Sequence, residues 1–353
     1  MCKHEMHAFL RALPKCEHHI HLEGCLSPAI LFHLAKKNSI ALPDPALRPE
    51  YTSVKTLEQR YEKFESLQDF LDCHYLAMSV LMDAADFEML AWTYYENAHA
   101  DGVHHAEAFF DPQSHTTRGI PLETVVQGYE AAGRRAEAEF GMSTSLILCF
   151  LRHLPVESAN ETLQAAASSG VFSKDSSVIA VGLDSSEVPF PPHLFQDPYK
   201  QAKNLGIHRT AHAGEEGDPS YIRQALDLLD CERIDHGLRL AEDADLMREV
   251  ASRKILLTLC PLSNVYLRCV DKIADLPIRR FLDAGVPFSL NSDDPVYFGG
   301  YILNNYCAVQ EAFNLSVEEW RSIARASIEG SWISQKRRST LFQLVDDCIA
   351  KHT

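Results

Sequence analysis

Short runs of apolar and β-branched residues recur along the chain at 16–22, 103–110, 145–152, 178–184, 208–213, 233–236, 255–260 and 287–292. Runs of this length, bounded by polar or turn-forming residues, read as buried strands. Between most of them lie longer stretches whose apolar residues return every three to four positions, among them 56–82, 86–100, 122–140, 157–168, 219–229 and 242–252. That is the period of a helix burying one face. Strands alternating with helices in this number predict an α/β fold closed into a (β/α)8 barrel, not an open sheet. No internal repeat and no Gly/Ser linker divides residues 1–353, so one barrel domain is expected, with a helical insertion near 56–100 and added helices from about 298. The 56–82 stretch falls between the first two strands, above the barrel mouth, where it can act as a lid. The proline-rich segments 41–55 and 188–198 read as loops, and Trp320 and Trp332 read as packing anchors.

Composition narrows the class. Hydrophobic residues make up 46% and charged residues 23%, which excludes a disordered chain. The 33 Lys and Arg against 49 Asp and Glu give a formal charge of -16, so the average surface repels phosphate backbones and no nucleic-acid partner is expected. No apolar run reaches the roughly 18 residues of a membrane helix, and the N-terminal stretch lacks the continuous hydrophobic core of a signal peptide. A cytoplasmic protein with no membrane partner is expected, with nuclear entry left open. The 10 cysteines, from Cys2 to Cys348, include no C-x-x-C pair and read as reduced, small hydrophobes.

Barrels of this type carry their chemistry at the C-terminal ends of the strands. The first strand ends in His19-Ile20-His21, whose i, i+2 spacing sends both imidazoles to one face. The fifth ends in His212-Ala213-Gly214-Glu215, the sixth in Asp235-His236-Gly237, and the eighth in Asn291-Ser292-Asp293-Asp294-Pro295. One His-x-His is ordinarily a pair of surface or core histidines, and Asp-Asp before proline is ordinarily a solvated turn. Their joint placement at strand ends predicts a metal centre instead. Imidazoles with one carboxylate suit zinc, and three histidines with one aspartate leave a position for water, as in a catalytic site. The fourth strand ends Gly182-Leu183-Asp184-Ser185 without the bridging lysine often found there in binuclear barrel hydrolases, so one zinc per chain is expected. Such a site suits metal-assisted hydrolysis, with His236 orienting the water and Glu215 moving a proton to the substrate.

Eight segments, in order, resemble the adenosine/adenine deaminase family, and within it the adenine deaminases of fungi. They are PKCEHHIHLEG (14–24), AEAFFDPQSH (106–115), CFLRH (149–153), GLDSSE (182–187), TAHAGEEG (210–217), RIDHG (233–237), LCPLSN (259–264) and SLNSDDPVYFGGYI (289–302), and they span essentially the whole chain. The resemblance implies zinc on His19, His21, His212 and Asp293, with catalysis by Glu215, which protonates N1 of the purine, and His236. It implies that Asp293 and His236 hold and activate the attacking water and that Asp294 reads N7. The implied reaction is hydrolysis of adenine to hypoxanthine and ammonia in purine salvage, on a free small-molecule purine base. Glu23 stands where nucleoside deaminases of the family have an aspartate that meets ribose, so it is expected to meet N9–H or N3. Ser185 or Glu187 is expected to replace the backbone donor that a glycine loop offers in those enzymes. Deamination of an N6-substituted adenine or of adenosine, and an inactive scaffold of the same fold, are the competing readings. The motifs do not specify an oligomeric state.

Overall fold

In the computed structural model, which describes residues 5–352, eight parallel strands follow one another around a barrel in chain order. They are β1 (Lys15–Glu17), β2 (Val103–Phe110), β3 (Ser143–Leu151), β4 (Val178–Asp184), β5 (His208–Ala213), β6 (Arg233–His236), β7 (Leu256–Leu259) and β8 (Phe288–Leu290). Helices cover the outside, for example Leu122–Phe140 after β2, Val156–Ser168 after β3 and Ala244–Arg253 after β6. Their apolar faces join the strands in a continuous core that includes Leu90, Tyr129, Leu163, Leu246 and Trp320. The expected (β/α)8 barrel is thus the architecture.

The first and last strands are shorter than their apolar runs, because side chains and isolated bridges replace the regular ladder where the barrel closes. The His18 N–H donates to the Asn291 side-chain oxygen at 2.8 Å. The Glu17 carboxylate accepts from the Ser292 N–H and hydroxyl, at 2.9 and 2.6 Å. Beyond them the Asp293 N–H donates to the His19 carbonyl and the His21 N–H to the Asp293 carbonyl, both at 3.0 Å. A further bridge ties His21 to Phe109 of β2.

The stretch expected as one helix over 56–82 is two, Val54–Tyr61 and Leu67–Met78. Each starts at a serine cap: Ser53 accepts from the Thr56 N–H, and Ser66 from the Asp69 N–H. Between β1 and β2 there is also a helix Pro28–Lys37, begun by Ser27 with Pro28 in its first turn. The 188–198 segment leads into a helix, Gln196–Asn204, whose Pro198 lies in the first turn, where its missing N–H costs nothing. Cys16, Cys25, Cys149, Cys231 and Cys260 are buried; Cys2 lies outside the described residues. Among the described residues no helix is long and apolar enough to cross a membrane.

Trp320 and Trp332 both pack as anchors. Trp320 is buried, stacks on Tyr306 and donates from its indole to Gln310 at 2.6 Å. Trp332 stacks on His208, the first residue of β5, and its ring lies 3.9 Å from the Arg233 guanidinium. Arg233 in turn donates to Glu107 at 2.5 Å with both side chains buried, and Glu107 also accepts from the Trp332 N–H. Burial would raise the Glu107 pKa, but Arg233 and His105 hold it well below the usual carboxylate range. Replacing Glu107 by Gln keeps the volume and strands a buried guanidinium. Urea unfolding should show a loss of about 3–5 kcal/mol; a loss below about 1 kcal/mol would show that the pair contributes little.

Candidate functional site

The C-terminal end of the barrel opens into a cavity. Leu67, Phe70, Leu71, His74 and Tyr75, on the helix Leu67–Met78, form its upper wall, so the insertion stands over the mouth as expected. The floor carries His21, His212, Glu215, His236, Asp293 and Asp294.

His19 and His21 from just beyond β1, His212 from β5 and Asp293 from just beyond β8 come together, each offering one ligand atom within 4.8 Å of the others. All four are buried. The His19 Nε2 lies 3.2 Å from Asp293 Oδ1, and His21 Nε2 lies 3.4 Å from the same oxygen. The fit to a cation shows in the surrounding hydrogen bonds. Thr258 donates to Asp235, so its hydroxyl oxygen accepts from His19 Nδ1 at 2.9 Å, leaving the Nε2 lone pair aimed at the cluster with no partner. Such a bond on the far nitrogen is how a ligating imidazole is held in one tautomer and orientation. His212 is placed by its carbonyl, which accepts from buried Arg152 at 2.8 Å. Three imidazoles and one carboxylate form a donor set suited to zinc.

The backbone is strained where the chemistry sits. Ser185, His236 and Asp293 have φ of 72, 61 and 62°, in the left-handed region that non-glycine residues rarely enter. Gly24 is needed for a different reason: a Cβ there would lie 2.2 Å from Asp294 Oδ1 and 2.7 Å from Asp294 Cα.

Glu215 stands beside the cluster, its Oε2 3.4 Å from His236 Nε2. Its Oε1 accepts from the Asn264 amide at 3.2 Å and from the Cys269 thiol at 3.7 Å. Burial first, and then the Asp293 and Glu187 carboxylates, push its pKa well above the ordinary value, which favours the protonated acid. Asn264 also donates to His236 Nδ1, at 3.3 Å, so the His236 proton is on Nε2, facing Glu215 and Asp293. Burial and the neighbouring imidazoles keep His236 and His212 well below 6.5 and hence neutral. Burial would raise Asp293, but His19, His236 and His21 hold it well below the carboxylate range. Asp294 moves the other way, raised by burial and by Asp293.

Of the four residues expected to contact the substrate, Asp294 and Ser185 line the cavity and Glu23 and Glu187 do not. Ser185 Oγ accepts from the Tyr75 hydroxyl at 3.0 Å and lies 2.7 Å from His153 Nδ1. Glu187 is fully buried and accepts from the backbone N–H groups of Gly214, Glu215 and Gly217, at 3.3, 3.1 and 2.6 Å. It shapes the loop that carries Glu215. Glu23 is buried behind Asp111: its Oε1 accepts from the Asp111 N–H, from Tyr129 and from His115 Nε2, at 3.2, 2.9 and 3.0 Å. Two wall residues, Asp111 and Asp184, carry no expected role, although each stands at a strand end, where the rule used for the other strands points.

The profile of the family described as adenosine deaminase matches residues 14–348. The chain belongs to the adenosine deaminase family. Within that family, it is 59% identical over 345 residues to the adenine deaminase of Schizosaccharomyces pombe, covering 98% of this chain and 93% of that one. The crystal structure of an adenine deaminase from Arthrobacter aurescens superposes with a TM-score of 0.90 at 43% identity, covering 96% of this chain and 99% of that one. An amidohydrolase from Burkholderia ambifaria, solved with bound Zn, follows at a TM-score of 0.84 and 26% identity, covering 98% and 94%.

Replacing Glu187 by Gln puts an amide against three N–H donors that now share a carboxylate. At normal metal content, steady-state assays should show kcat lowered about 10- to 100-fold; unchanged kcat would mean that the 214–217 loop holds its shape without that charge.

Proposed function

We propose that this chain is a hydrolase that deaminates free adenine to hypoxanthine and ammonia, with one zinc ion per chain on His19, His21, His212 and Asp293. The observation that carries the reading is the meeting of those four side chains beside a buried acid, Glu215, in a family member whose relatives are adenine deaminases. The Zn in the Burkholderia relative supports the choice of metal, as does the donor set. When bound, zinc supplies Lewis acidity that makes water a nucleophile near neutral pH.

The protein's own groups do the rest. Glu215, steadied by Asn264, gives its proton to N1, which draws electrons from C6. His236 donates from Nε2 to orient the attacking water, the Oδ2 of Asp293 takes the water's proton and passes it to the departing amine, and the C6 hydroxyl proton returns to Glu215 as the carbonyl forms. Asp294, held close by Gly24, faces N7 and fixes the ring. The lid residues Phe70, Leu71 and Leu67 exclude bulk water from the apolar faces of the base. Among the described residues that line the cavity there is no Lys or Arg to pair with a phosphate, which sets nucleotides apart from the base.

Ammonia release from adenine, adenosine, N6-methyladenine and AMP on one preparation tests the reading. Adenine should have the highest kcat/KM; dominance of adenosine or AMP would contradict it. In the same assay Glu215→Gln should keep its zinc and lose about 10³-fold or more in kcat, since the proton donor is gone and the ligands remain. Turnover at the unaltered rate would remove Glu215 from its role.

A further inference from the structure

We propose that the Asp111 carboxylate, with Asp184 beside it, is the group that selects a free base over its nucleoside, by accepting the N9–H and filling the wall through which a sugar would leave. The proposal rests on the deaminase reading above and names a residue pair which that reading leaves without a role.

The order of groups across the cavity floor places the base. On one flank of the metal cluster, His19, His236 and Asp293 lie together, with Glu215 against His236. On the other flank His21, Asp111 and Asp184 bring ligand-type atoms within 4.8 Å of one another. N1 and N9 stand at opposite ends of a purine. A ring with N1 at Glu215 and C6 at the cluster therefore turns its five-membered ring toward Asp111 and Asp184, with N7 on the Asp294 side.

Hydrogen bonding makes the pair a receptor. Asp111 Oδ1 and both oxygens of Asp184 are buried in the cavity wall with no N–H donor within hydrogen-bonding distance; the two carboxyl groups meet only each other and the Cys149 thiol. Buried acceptors left so are rare and costly, and a donor from a bound molecule removes the cost. Adenine presents N9–H on that edge; adenosine and 9-alkyl adenines present carbon there. The acceptors are also held in place. The Asp111 N–H is fixed to Glu23 Oε1, and Glu23 is anchored by Tyr129 and by His115, whose Nδ1 accepts from Arg118. Glu23 thus acts on the base at one remove, as a positioning residue behind Asp111. Asp184 Oδ2 has His21 Nδ1 3.6 Å away, so Asp111 is the member of the pair that can be altered with least disturbance of the ligands.

The test compares adenine with 9-methyladenine, which differs by the N–H and one methyl group. The unaltered protein should prefer adenine by about 10²-fold or more in kcat/KM, as expected when a buried acceptor loses its donor. Asp111→Ala should lower kcat/KM for adenine about 10²-fold and leave 9-methyladenine within a few-fold, so that the preference collapses. Calorimetric binding of hypoxanthine against 9-methylhypoxanthine should follow the same ratios, independently of turnover. Should Asp111→Ala fail to fold, Asp111→Asn and the two bases on the unaltered protein decide the matter. Equal use of adenine and 9-methyladenine by the unaltered protein, or an Asp111 variant that keeps the full preference, overturns the proposal. Failure of the deaminase reading looks different: the unaltered protein would release no ammonia from adenine.

Discussion

The seam at which the eighth strand meets the first governs this molecule. There the peptide groups of His19, His21 and Asp293 bond to one another, so three of the four candidate ligands are fixed by backbone hydrogen bonds before any ion is considered. A regular ladder would have kept the last residues of both strands extended. Instead the Glu17 carboxylate and the Asn291 amide take over the pairing one step earlier, which frees the chain to bend. Asp293 then adopts its left-handed conformation and points its carboxylate between the two imidazoles. Strain of this kind persists where surrounding bonds over-determine it, and here they do.

The two ends of the barrel handle buried charge in opposite ways. At the closed end, Glu107 meets Arg233 and Trp332 covers the guanidinium. At the open end, Asp111, Asp184, Asp294 and Glu215 share one cavity with few cations, and burial pushes each of their pKa values upward. Asp293 is the exception, because imidazoles surround it. A wall of acids in this state offers protons and acceptors to a neutral, nitrogen-rich ring. The preference for a base and the handling of its protons thus have one physical origin.

Much of this was legible in the sequence. Apolar runs alternating with helical periodicity gave the barrel, and the strand-end rule led to His19, His21, His212, Glu215, His236, Asp293 and Asp294, all of which the fold brings together. Strand lengths at the seam were not legible, because the Glu17 and Asn291 side chains stand in for backbone partners 275 and 273 residues away. The break in the 56–82 helix was signalled by Ser66, which reads equally well as a polar position on a continuous helix. Glu187 and Glu23 carry carboxylates in conspicuous motifs, but a carboxylate that binds backbone N–H groups looks the same in sequence as one that binds a substrate. Asp111 and Asp184 also stand at strand ends, but a carboxylate there with no histidine beside it looks the same in sequence as a turn or cap residue.

The ligand set is what everything else rests on, and X-ray absorption at the zinc edge, with metal content measured on the same sample, tests it most directly. Cys260 lies close enough to His19, His236 and Asp293 to form a rival site, so sulfur is the discriminating atom. The account predicts one zinc per chain with nitrogen and oxygen neighbours at about 2.0–2.2 Å and no sulfur. A sulfur neighbour at about 2.3 Å, or two metal ions per chain, would contradict it.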